Sequence, residues 1–223
     1  MSSVYNTTMF YLEEINGHKI LKSDLGVNVG INHCFTTRGV LPNHIYSHYI
    51  YPQQTHSDHV EIVDDRLEYP NTDGLIITKK NFPIALRFAD CTPLIFYDTK
   101  QKIGAISHAG WRGTVQRIGV KTILKMESNP KDIIAIIEPA IGICCYEVSD
   151  DVRDKLLETI KDKSDLTNGQ NVDLKQINAR QLQELGVTQI DICPYCTSCN
   201  NDLFYSYRKE NGTSNRHYAF LEL

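Results

Sequence analysis

The 223-residue sequence lacks the features that mark several large classes of protein. It has no apolar run near the roughly 20 residues that a membrane-spanning helix needs. Its first residues show no cationic segment followed by an apolar one, as a secretory signal would. It has no basic run, and a net charge of −4 gives no electrostatic footprint for nucleic acid. We therefore expect a cytoplasmic protein that binds neither membranes nor nucleic acid.

Phosphate-binding glycine loops of the GxGxxG and P-loop types are also missing. We find no repeats, low-complexity segments or interdomain linker, and we expect a single domain over residues 1–223. The sequence is 41% hydrophobic and 22% charged, which is typical of a globular protein with a substantial core. The 7 cysteines are an odd number in a chain without an export signal. This favours reduced thiols, available for metal binding or catalysis, over a disulfide framework.

Strand and helix patterns are interleaved irregularly along the chain. Asn16-Gly17 between two β-prone runs predicts a hairpin over residues 9–22. Apolar or β-branched runs predict strands at 27–37, 75–78, 83–87, 92–98, 102–107, 133–137, 190–192, 203–208 and 217–223. Amphipathic runs predict helices at 114–127, over about 14 residues from position 150, and at 173–186. Because strands and helices do not alternate strictly, we expect an α+β fold with mixed sheets and not a doubly wound one.

The segment His108–Thr114 lies between a predicted buried strand and a predicted helix. Its glycines permit a tight turn, and the start of a helix offers free N–H groups to an anion. Arg112 lies in this turn, and Arg38 ends another predicted strand, where a guanidinium can bind an anion or a carboxylate. The alternatives are a core histidine at position 108 and a surface salt bridge at position 38.

Three residues at element boundaries form the first candidate site. Cys91 lies at a break between two predicted strands, His108 ends the next strand, and His56 belongs to a group of four histidines within residues 42–59. Two histidines and a cysteine are good zinc ligands and leave a fourth position open, as in a catalytic zinc site. The same Cys91 and His108 would also serve as a thiol–imidazole pair for nucleophilic catalysis. The sequence alone does not separate these two interpretations.

Three further cysteines form the second candidate site. Cys193, Cys196 and Cys199 repeat at intervals of 3 residues, a spacing found in zinc and iron–sulfur sites. No fourth ligand is obvious, and the bacterial ferredoxin pattern of a last cysteine followed by proline is absent.

Several segments together resemble the YfiH-like, laccase-domain family, whose members were described first as multicopper polyphenol oxidases and later as zinc-dependent purine nucleoside phosphorylases. The resemblance extends over essentially the whole chain in the family's motif order. The matching segments are Phe35–Gly39, Gln54–Ser57, Thr72–Leu75, Ala89–Pro93, His108–Thr114, Pro139–Val148, Asn178 with Gln181-Leu182, Cys196-Thr197, Phe204–Arg208 and Arg216.

The resemblance implies packed mixed β-sheets in a sandwich-like arrangement flanked by helices, with zinc ligands at His56, Cys91 and His108. It implies phosphorolysis of adenosine, inosine, guanosine and methylthioadenosine, together with adenosine deamination. A role in peptidoglycan editing has also been proposed for relatives. The chain departs from the family in a short segment between Arg38 and Gln54, in Glu138 where glycine is usual, and in Ser214-Asn215-Arg216 for Thr-Gly-Arg.

Our leading hypothesis is therefore a zinc enzyme that acts on purine nucleosides and phosphate. We expect phosphate contacts from Arg38, Arg112 and Arg208. For deamination, zinc would activate a water, and Asp73 or Glu138 would transfer the proton.

Three alternatives remain open. The first is a Cys–His hydrolase or amidase acting on cell-wall peptides. The second is a copper-dependent polyphenol oxidase, for which the several His-x-His pairs usual in multicopper oxidation are missing. The third is a partner-binding protein without catalysis. The sequence does not determine the oligomeric state, and a homo-oligomer is one of the states it allows.

Overall fold

The structure, a computed structural model, describes residues 9–66 and 68–223. The start of the chain, on which we based the expectation that no export signal is present, lies partly outside the described residues. The strands are β1 (Phe10–Ile15), β2 (His18–Ser23), β3 (Asn32–Thr36), β4 (Val60–Ile62), β5 (Gly74–Ile77), β6 (Ile84–Phe88), β7 (Thr92–Asp98), β8 (Gly104–Ala109), β9 (Ile133–Ile137), β10 (Thr167–Asn168), β11 (Asn171–Val172), β12 (Gln189–Ile192) and β13 (His217–Glu222). The helices are α1 (Asp24–Asn28), α2 (Trp111–Val115), α3 (Ile118–Lys125), α4 (Asp150–Leu157) and α5 (Leu174–Leu185), with short 3₁₀ turns at Pro42–His44 and Pro130–Asp132.

Two sheets contain most of these strands. The first is antiparallel, in the order β1-β2-β3-β13-β6. The second is mixed, in the order β12-β9-β7-β8-β5-β4, with parallel pairs at both edges and antiparallel pairs between them. A separate ribbon pairs β10 with β11. The α+β fold with mixed sheets that the sequence predicts is confirmed.

The mixed sheet is buried on both faces, which accounts for its continuous apolar strands. One face packs against the antiparallel sheet, where Phe35 and Phe88 meet Ile95 and Ile106. The other face packs against α3 and α5, chiefly through Ile123 and Leu182; Leu94 and Phe96 belong to this cluster. The result is three layers, with β7 and β8 at the centre of the middle one.

The predicted strand at 27–37 is wrong in its first half. Ser23 caps α1, because its Oγ accepts a hydrogen bond from the backbone N–H of Leu25 at 3.1 Å. Gly30, with φ of +81°, reverses the chain before β3 begins. The β-propensity of the valines in this segment therefore yields to a cap and a turn that join β2 to β3.

The predicted helix at 114–127 is two helices that meet at Arg117, whose φ is +58°. The break lets the two helices face different surroundings: Val115 packs beside α4 and α5, whereas Ile118 and Ile123 pack on the mixed sheet. Apolar periodicity does not reveal the break because each helix keeps an apolar stripe of its own. The helix predicted from position 150 is also shorter than expected, at 8 residues.

The predicted strand at 203–208 is wrong, since this segment is a series of turns. Its backbone groups bind outside any ladder: the N–H of Phe204 donates to the carbonyl of Asn200 at 2.8 Å, and that of Arg208 to the carboxylate of Asp90 at 2.7 Å. In the part of the chain that the structure describes, no helix combines the length and apolar composition needed to cross a membrane.

Candidate active site

His56, Cys91 and His108 come together at one end of the mixed sheet. His108 lies on β8, Cys91 follows the turn after β6, and His56 lies in the loop before β4. Their ligand atoms all lie within 4.8 Å of one another. Antiparallel pairing of β7 with β8 places Pro93 opposite His108 and so brings the two segments together. The sheet thus supplies the proximity that no short motif in the sequence shows.

Gly110 permits this close approach. A Cβ atom at this position would stand 3.0 Å from the Sγ atom of Cys91 and 3.4 Å from the Cδ2 atom of His56. A side chain here would push one of these residues outward. The glycine therefore serves the packing of the site as well as the turn that the sequence predicts.

Asp73 is fully buried and holds both histidines. One carboxylate oxygen lies 2.8 Å from Nδ1 of His108, which leaves Nε2 free for a ligand. The backbone N–H groups of Thr55, His56 and Ser57 donate to the same carboxylate at 3.0, 3.1 and 2.7 Å. These bonds fix a loop in which His56 has a φ of +62°.

The expected role of Asp73 as a proton carrier is therefore corrected. Burial by itself would raise the pKa of this carboxyl, but the bonds from His108 and Ser57 outweigh burial and hold the pKa well below its usual range. This carboxylate has no solvent exposure, and its roughly four acceptor positions are filled by three backbone N–H groups, the Ser57 hydroxyl and His108, which leaves none for a substrate. Asp73 instead holds the His108 ring and the backbone of the His56 loop in place, and carboxylates often contact metal-binding histidines in this way.

Cys91 and His108 influence each other's protonation. Burial would raise the pKa of the Cys91 thiol, but the neighbouring His108 and His56 lower it to about 6. Burial would lower the pKa of His108, but Cys91 and Asp73 raise it to about 9. The pair therefore favours a thiolate beside an imidazolium. A thiolate is the form that binds zinc and also the form that acts as a nucleophile.

The three residues fit a zinc ion. Two imidazole nitrogens and one thiolate sulfur are preferred zinc ligands, they already converge, and they leave a coordination position toward the cavity.

The trio lies in the wall of a cavity of about 660 Å³. Its lining residues are Gln54, His56, Arg87, Ala89, Asp90, Cys91, His108, Ile141, Tyr146, Tyr207, Arg208, Ser214 and Arg216. A larger depression of about 810 Å³ also touches Arg87 but contains none of the trio, so we assign no chemistry to it.

Arginines give the cavity a positive character. Arg87, Arg208 and Arg216 line it, and among the described residues none of them forms an ion pair with a carboxylate. Arg112 borders an adjoining groove of about 160 Å³ together with His56 and Cys91, and its guanidinium stacks on Trp111 at 4.3 Å. Arg87 was missed in the sequence. Its signal is a charged, exposed residue in the otherwise buried strand β6.

The structure does not bring Arg38 to this cavity. Its guanidinium forms an ion pair with Glu210 at 2.7 Å, donates to the backbone carbonyls of Asn201 and Phe204, and stacks on Tyr205. It lies beside a separate depression of about 290 Å³. The expected phosphate contact is therefore corrected: Arg38 fastens the segment 201–210 to the end of β3.

Glu138 also lies away from the cavity. It is fully buried, and neither carboxylate oxygen has a hydrogen-bond partner in the part of the chain that the structure describes. Burial, with a smaller contribution from Asp191, raises the pKa of Glu138 well above its usual range. The structure thus gives no support to its expected role in proton transfer at the cavity.

Asp90 is a carboxylate that the sequence analysis passed over. One oxygen accepts from the hydroxyl of Thr197 at 2.6 Å, and the other accepts from the backbone N–H of Arg208 at 2.7 Å. Asp90 thereby fastens two distant loops beside Cys91. The signal was its place next to Cys91 in the segment Ala89–Pro93.

The second candidate site, the group of cysteines, contains a different set of residues from the one that the sequence predicts. Cys196 and Cys199 lie with Cys144 and Cys145, and the four sulfur atoms lie within 4.8 Å of one another. Cys193 is buried in the core between the sheets and is not in this group. The expectation of a Cys193 ligand is corrected because the turn after β12 directs that side chain inward.

Comparison with known proteins agrees with this geometry. The family described as multi-copper polyphenol oxidoreductase laccase matches residues 32–223. The chain belongs to this family. This laccase-domain protein is 36% identical to purine nucleoside phosphorylase YlmD of Bacillus subtilis over 195 residues, which are 78% of this chain and 70% of that relative.

Solved structures show the same fold. The crystal structure of YlmD from Geobacillus stearothermophilus superposes with a TM-score of 0.87 at 26% identity, covering 96% of this chain and 99% of that one. The Bacillus licheniformis hypothetical protein YfiH superposes with a TM-score of 0.82 at 29% identity, covering 98% and 100%. The resemblance seen in the sequence motifs is confirmed.

We expect Arg38→Ala to lower the free energy of unfolding by about 1.5–3 kcal/mol, because charge-assisted hydrogen bonds from its guanidinium are lost. Urea denaturation measures this change. The pH dependence gives a second readout. Burial would raise the pKa of Glu210, but bonds from Asn201, Ser206 and Arg38 lower it from 4.5 to about 2.

The folded pKa of Glu210 lies below the unfolded one, so its stabilisation is complete above about pH 4.5 and is lost as pH falls through about 2. Arg38→Ala should weaken this dependence. Arg153→Ala, which breaks an exposed ion pair on α4, is the control and should change stability by less than about 1 kcal/mol. Unchanged stability in Arg38→Ala would contradict the fastening role.

Proposed function

We propose that this laccase-domain protein is a zinc-dependent purine nucleoside phosphorylase acting on adenosine, inosine, guanosine and methylthioadenosine, and that it also deaminates adenosine. The observation that carries the proposal is one cavity that unites the His56/Cys91/His108 trio with three arginines that form no ion pair with any carboxylate among the described residues. Relatives named as purine nucleoside phosphorylases support the same reaction class.

Phosphorolysis requires a phosphate dianion beside C1′ of the nucleoside while the bond to the base breaks. Positioning the two reactants and stabilising their charge supply most of the catalysis in such a reaction. We assign phosphate to Arg87, Arg208 and Arg216, because guanidinium groups bind phosphate through paired hydrogen bonds. The guanidinium of Arg87 has no hydrogen-bond partner among the described residues, so nothing competes with a ligand there.

Aromatic rings offer a place for the purine. Tyr146 and Tyr207 line the same cavity, and the Arg208 guanidinium lies 5.6 Å from the ring of Tyr146. We propose that the base stacks on one of these rings, in the cavity that also holds the arginines and the trio. A zinc ion held by the trio would supply a Lewis acid that lowers the pKa of a water molecule to about 7.

For deamination we transfer the proton-carrying role to Asp90, in place of Asp73 and Glu138. Among the described residues that line the cavity, it is the one carboxylate. It accepts two hydrogen bonds, and a carboxylate has about four acceptor positions, so capacity is left for a substrate.

A second candidate function is a Cys–His hydrolase or amidase. The lowered pKa of Cys91 and the raised pKa of His108 favour it, because they describe a nucleophilic thiolate beside an acid. Metal content decides between the two, since a stoichiometric zinc ion removes the free thiolate. Copper oxidation receives less support. Multicopper oxidation usually draws on several histidine pairs, and among the described residues two groups could hold a metal: the trio, with two histidines, and a group of four cysteines without any histidine.

The deciding experiment supplies the protein with each nucleoside, with and without phosphate, and follows free base, ribose 1-phosphate and ammonia. We expect phosphate-dependent base release that stops when zinc is removed and returns when it is restored. Cys91→Ala should lose activity and the zinc of this site while the fold survives, because the core fixes these strands. Cys34→Ala, at a buried cysteine outside the site, is the control. Peptide hydrolysis without base release would instead support the Cys–His alternative.

We expect Asp73→Asn to weaken zinc binding by about 10–100-fold, the range typical of a lost partner to a metal-binding histidine. The amide keeps the shape but removes the charge that orients His108 and accepts three backbone N–H groups. Competition with a zinc chelator measures the affinity, and circular dichroism checks the fold. Zinc affinity equal to that of the unmodified protein would show that the carboxylate does not position the ligands.

We expect Arg87→Ala to lower kcat/KM for phosphate by about tenfold to hundredfold, which corresponds to about 1.5–3 kcal/mol for a lost charge-assisted contact. Zinc content and melting temperature should stay unchanged, because this guanidinium has no hydrogen-bond or ion-pair partner to lose among residues 9–66 and 68–223. Arg180→Ala on α5 is the control for the loss of an arginine away from the cavity. If Arg87→Ala leaves phosphate kinetics unaltered, Arg87 does not contact the phosphate and its assignment is wrong.

A further inference from the structure

Four cysteines outside the proposed catalytic site meet at the ends of two turns. Cys144 and Cys145 lie in the turn after β9, and Cys196 and Cys199 lie in the turn after β12. The two turns stand side by side because the N–H of Thr197 donates to the carbonyl of Ala140 at 3.1 Å. Residues more than 50 positions apart in sequence are thereby brought into one thiol cluster, which we define as these four cysteines.

The distances in the thiol cluster suit one ion. Sγ of Cys199 lies 3.3 Å from Sγ of Cys144 and 3.4 Å from Sγ of Cys145, and all four sulfurs lie within 4.8 Å of one another. Four sulfurs at about 2.3 Å from a tetrahedral zinc ion stand about 3.8 Å apart. A cluster of several iron atoms would hold its cysteine sulfurs farther apart. A disulfide would need two of the sulfurs, whereas here all four converge.

The backbone around the cluster also suits thiolate ligands. The N–H of Gly142 points at Sγ of Cys196, at 3.1 Å, and so can stabilise negative charge on that sulfur. A Cβ atom at position 142 would stand 3.2 Å from Cβ of Cys196 and 3.4 Å from Sγ of Cys144. A side chain at position 142 would therefore crowd both cysteines, and glycine accommodates the close approach of the two turns without any shift. Cys144 and Cys199 are exposed, which gives an ion access from solvent.

We propose that the thiol cluster binds a second zinc ion, coordinated by the sulfurs of Cys144, Cys145, Cys196 and Cys199. All-sulfur tetrahedral coordination is typical of structural zinc sites, and it leaves no open position for a substrate. Each thiol that binds gives up its proton to solvent, so the ion enters without any oxidation.

The second zinc would join the two turns that form one wall of the cavity. Ile141 and Tyr146, on either side of the first cysteine pair, line the cavity. Thr197, within the second pair, donates to Asp90 next to Cys91. The ion would hold these contacts in place from outside the catalytic site. The inference does not depend on the proposed nucleoside chemistry.

Metal analysis of the full chain, purified under reducing and anaerobic conditions, tests the proposal. We expect about two zinc ions per chain. Cys91→Ala should keep about one, held by the thiol cluster, and Cys91→Ala combined with Cys199→Ser should keep none. Cys199→Ser and Cys144→Ser should each keep the ion of the trio. Cys193→Ala, three residues before the cluster and buried in the core, is the matched control and should keep both ions.

Cobalt replacement supplies a readout that needs no substitution in the cluster. Cobalt-loaded Cys91→Ala should show the intense thiolate-to-cobalt absorption of a tetrahedral all-sulfur site, even if Cys199→Ser proves unable to fold. The proposal would be overturned if the unmodified protein held a single zinc ion per chain and Cys91→Ala held none. Iron in place of zinc, or a disulfide within the cluster and no second ion, would also overturn it. A protein without phosphorylase activity that still holds zinc in Cys91→Ala would contradict the proposed function and support this inference.

Discussion

The buried carboxylate of Asp73 is the interaction on which the candidate site depends. It faces the backbone of the loop that carries His56 on one side and the imidazole of His108 on the other. A buried charge is costly unless it is fully hydrogen-bonded, and here the protein supplies three backbone N–H groups, a hydroxyl and an imidazole. The same bonds that compensate the charge fix the positions of two members of the trio, His56 and His108.

A second carboxylate extends this arrangement to the other wall of the cavity. Asp90 stands next to Cys91 and accepts hydrogen bonds from the loops that carry Thr197 and Arg208. Loops generally move more than the elements they connect, so a site built from loops needs such fixed points. The strands beneath provide the rest, since β7 and β8 are buried on both faces.

Arginine placement shows how one residue type serves two purposes in this fold. Arg38 pairs with the Glu210 carboxylate and fastens one loop. Arg87, Arg208 and Arg216 line the cavity and form no ion pair with a carboxylate in the part of the chain that the structure describes, although Arg208 and Arg216 donate to backbone carbonyls. A guanidinium group without a carboxylate partner keeps its positive charge available to an anion in the cavity, whereas an ion pair with a carboxylate neutralises that charge. Whether an arginine can bind an anion therefore depends on which carboxylates lie close to its guanidinium. Its position at the end of a strand, from which we predicted the anion contact of Arg38, does not decide this.

The sequence by itself determined the α+β class, the hairpin at Asn16-Gly17, the central strands, helix α5 and the three members of the trio. These follow from local patterns: turn chemistry, apolar runs and ligand types at element boundaries, with the family motifs that join them. Only the tertiary structure decided that Asp73 holds His56 and His108 in place, and that Glu138 and Arg38 lie outside the cavity. It also decided that Cys193 is buried in the core, whereas Cys144 and Cys145 lie with Cys196 and Cys199. Each of these depends on contacts between residues far apart in the chain, and local pattern carries no information about which distant partner a side chain meets.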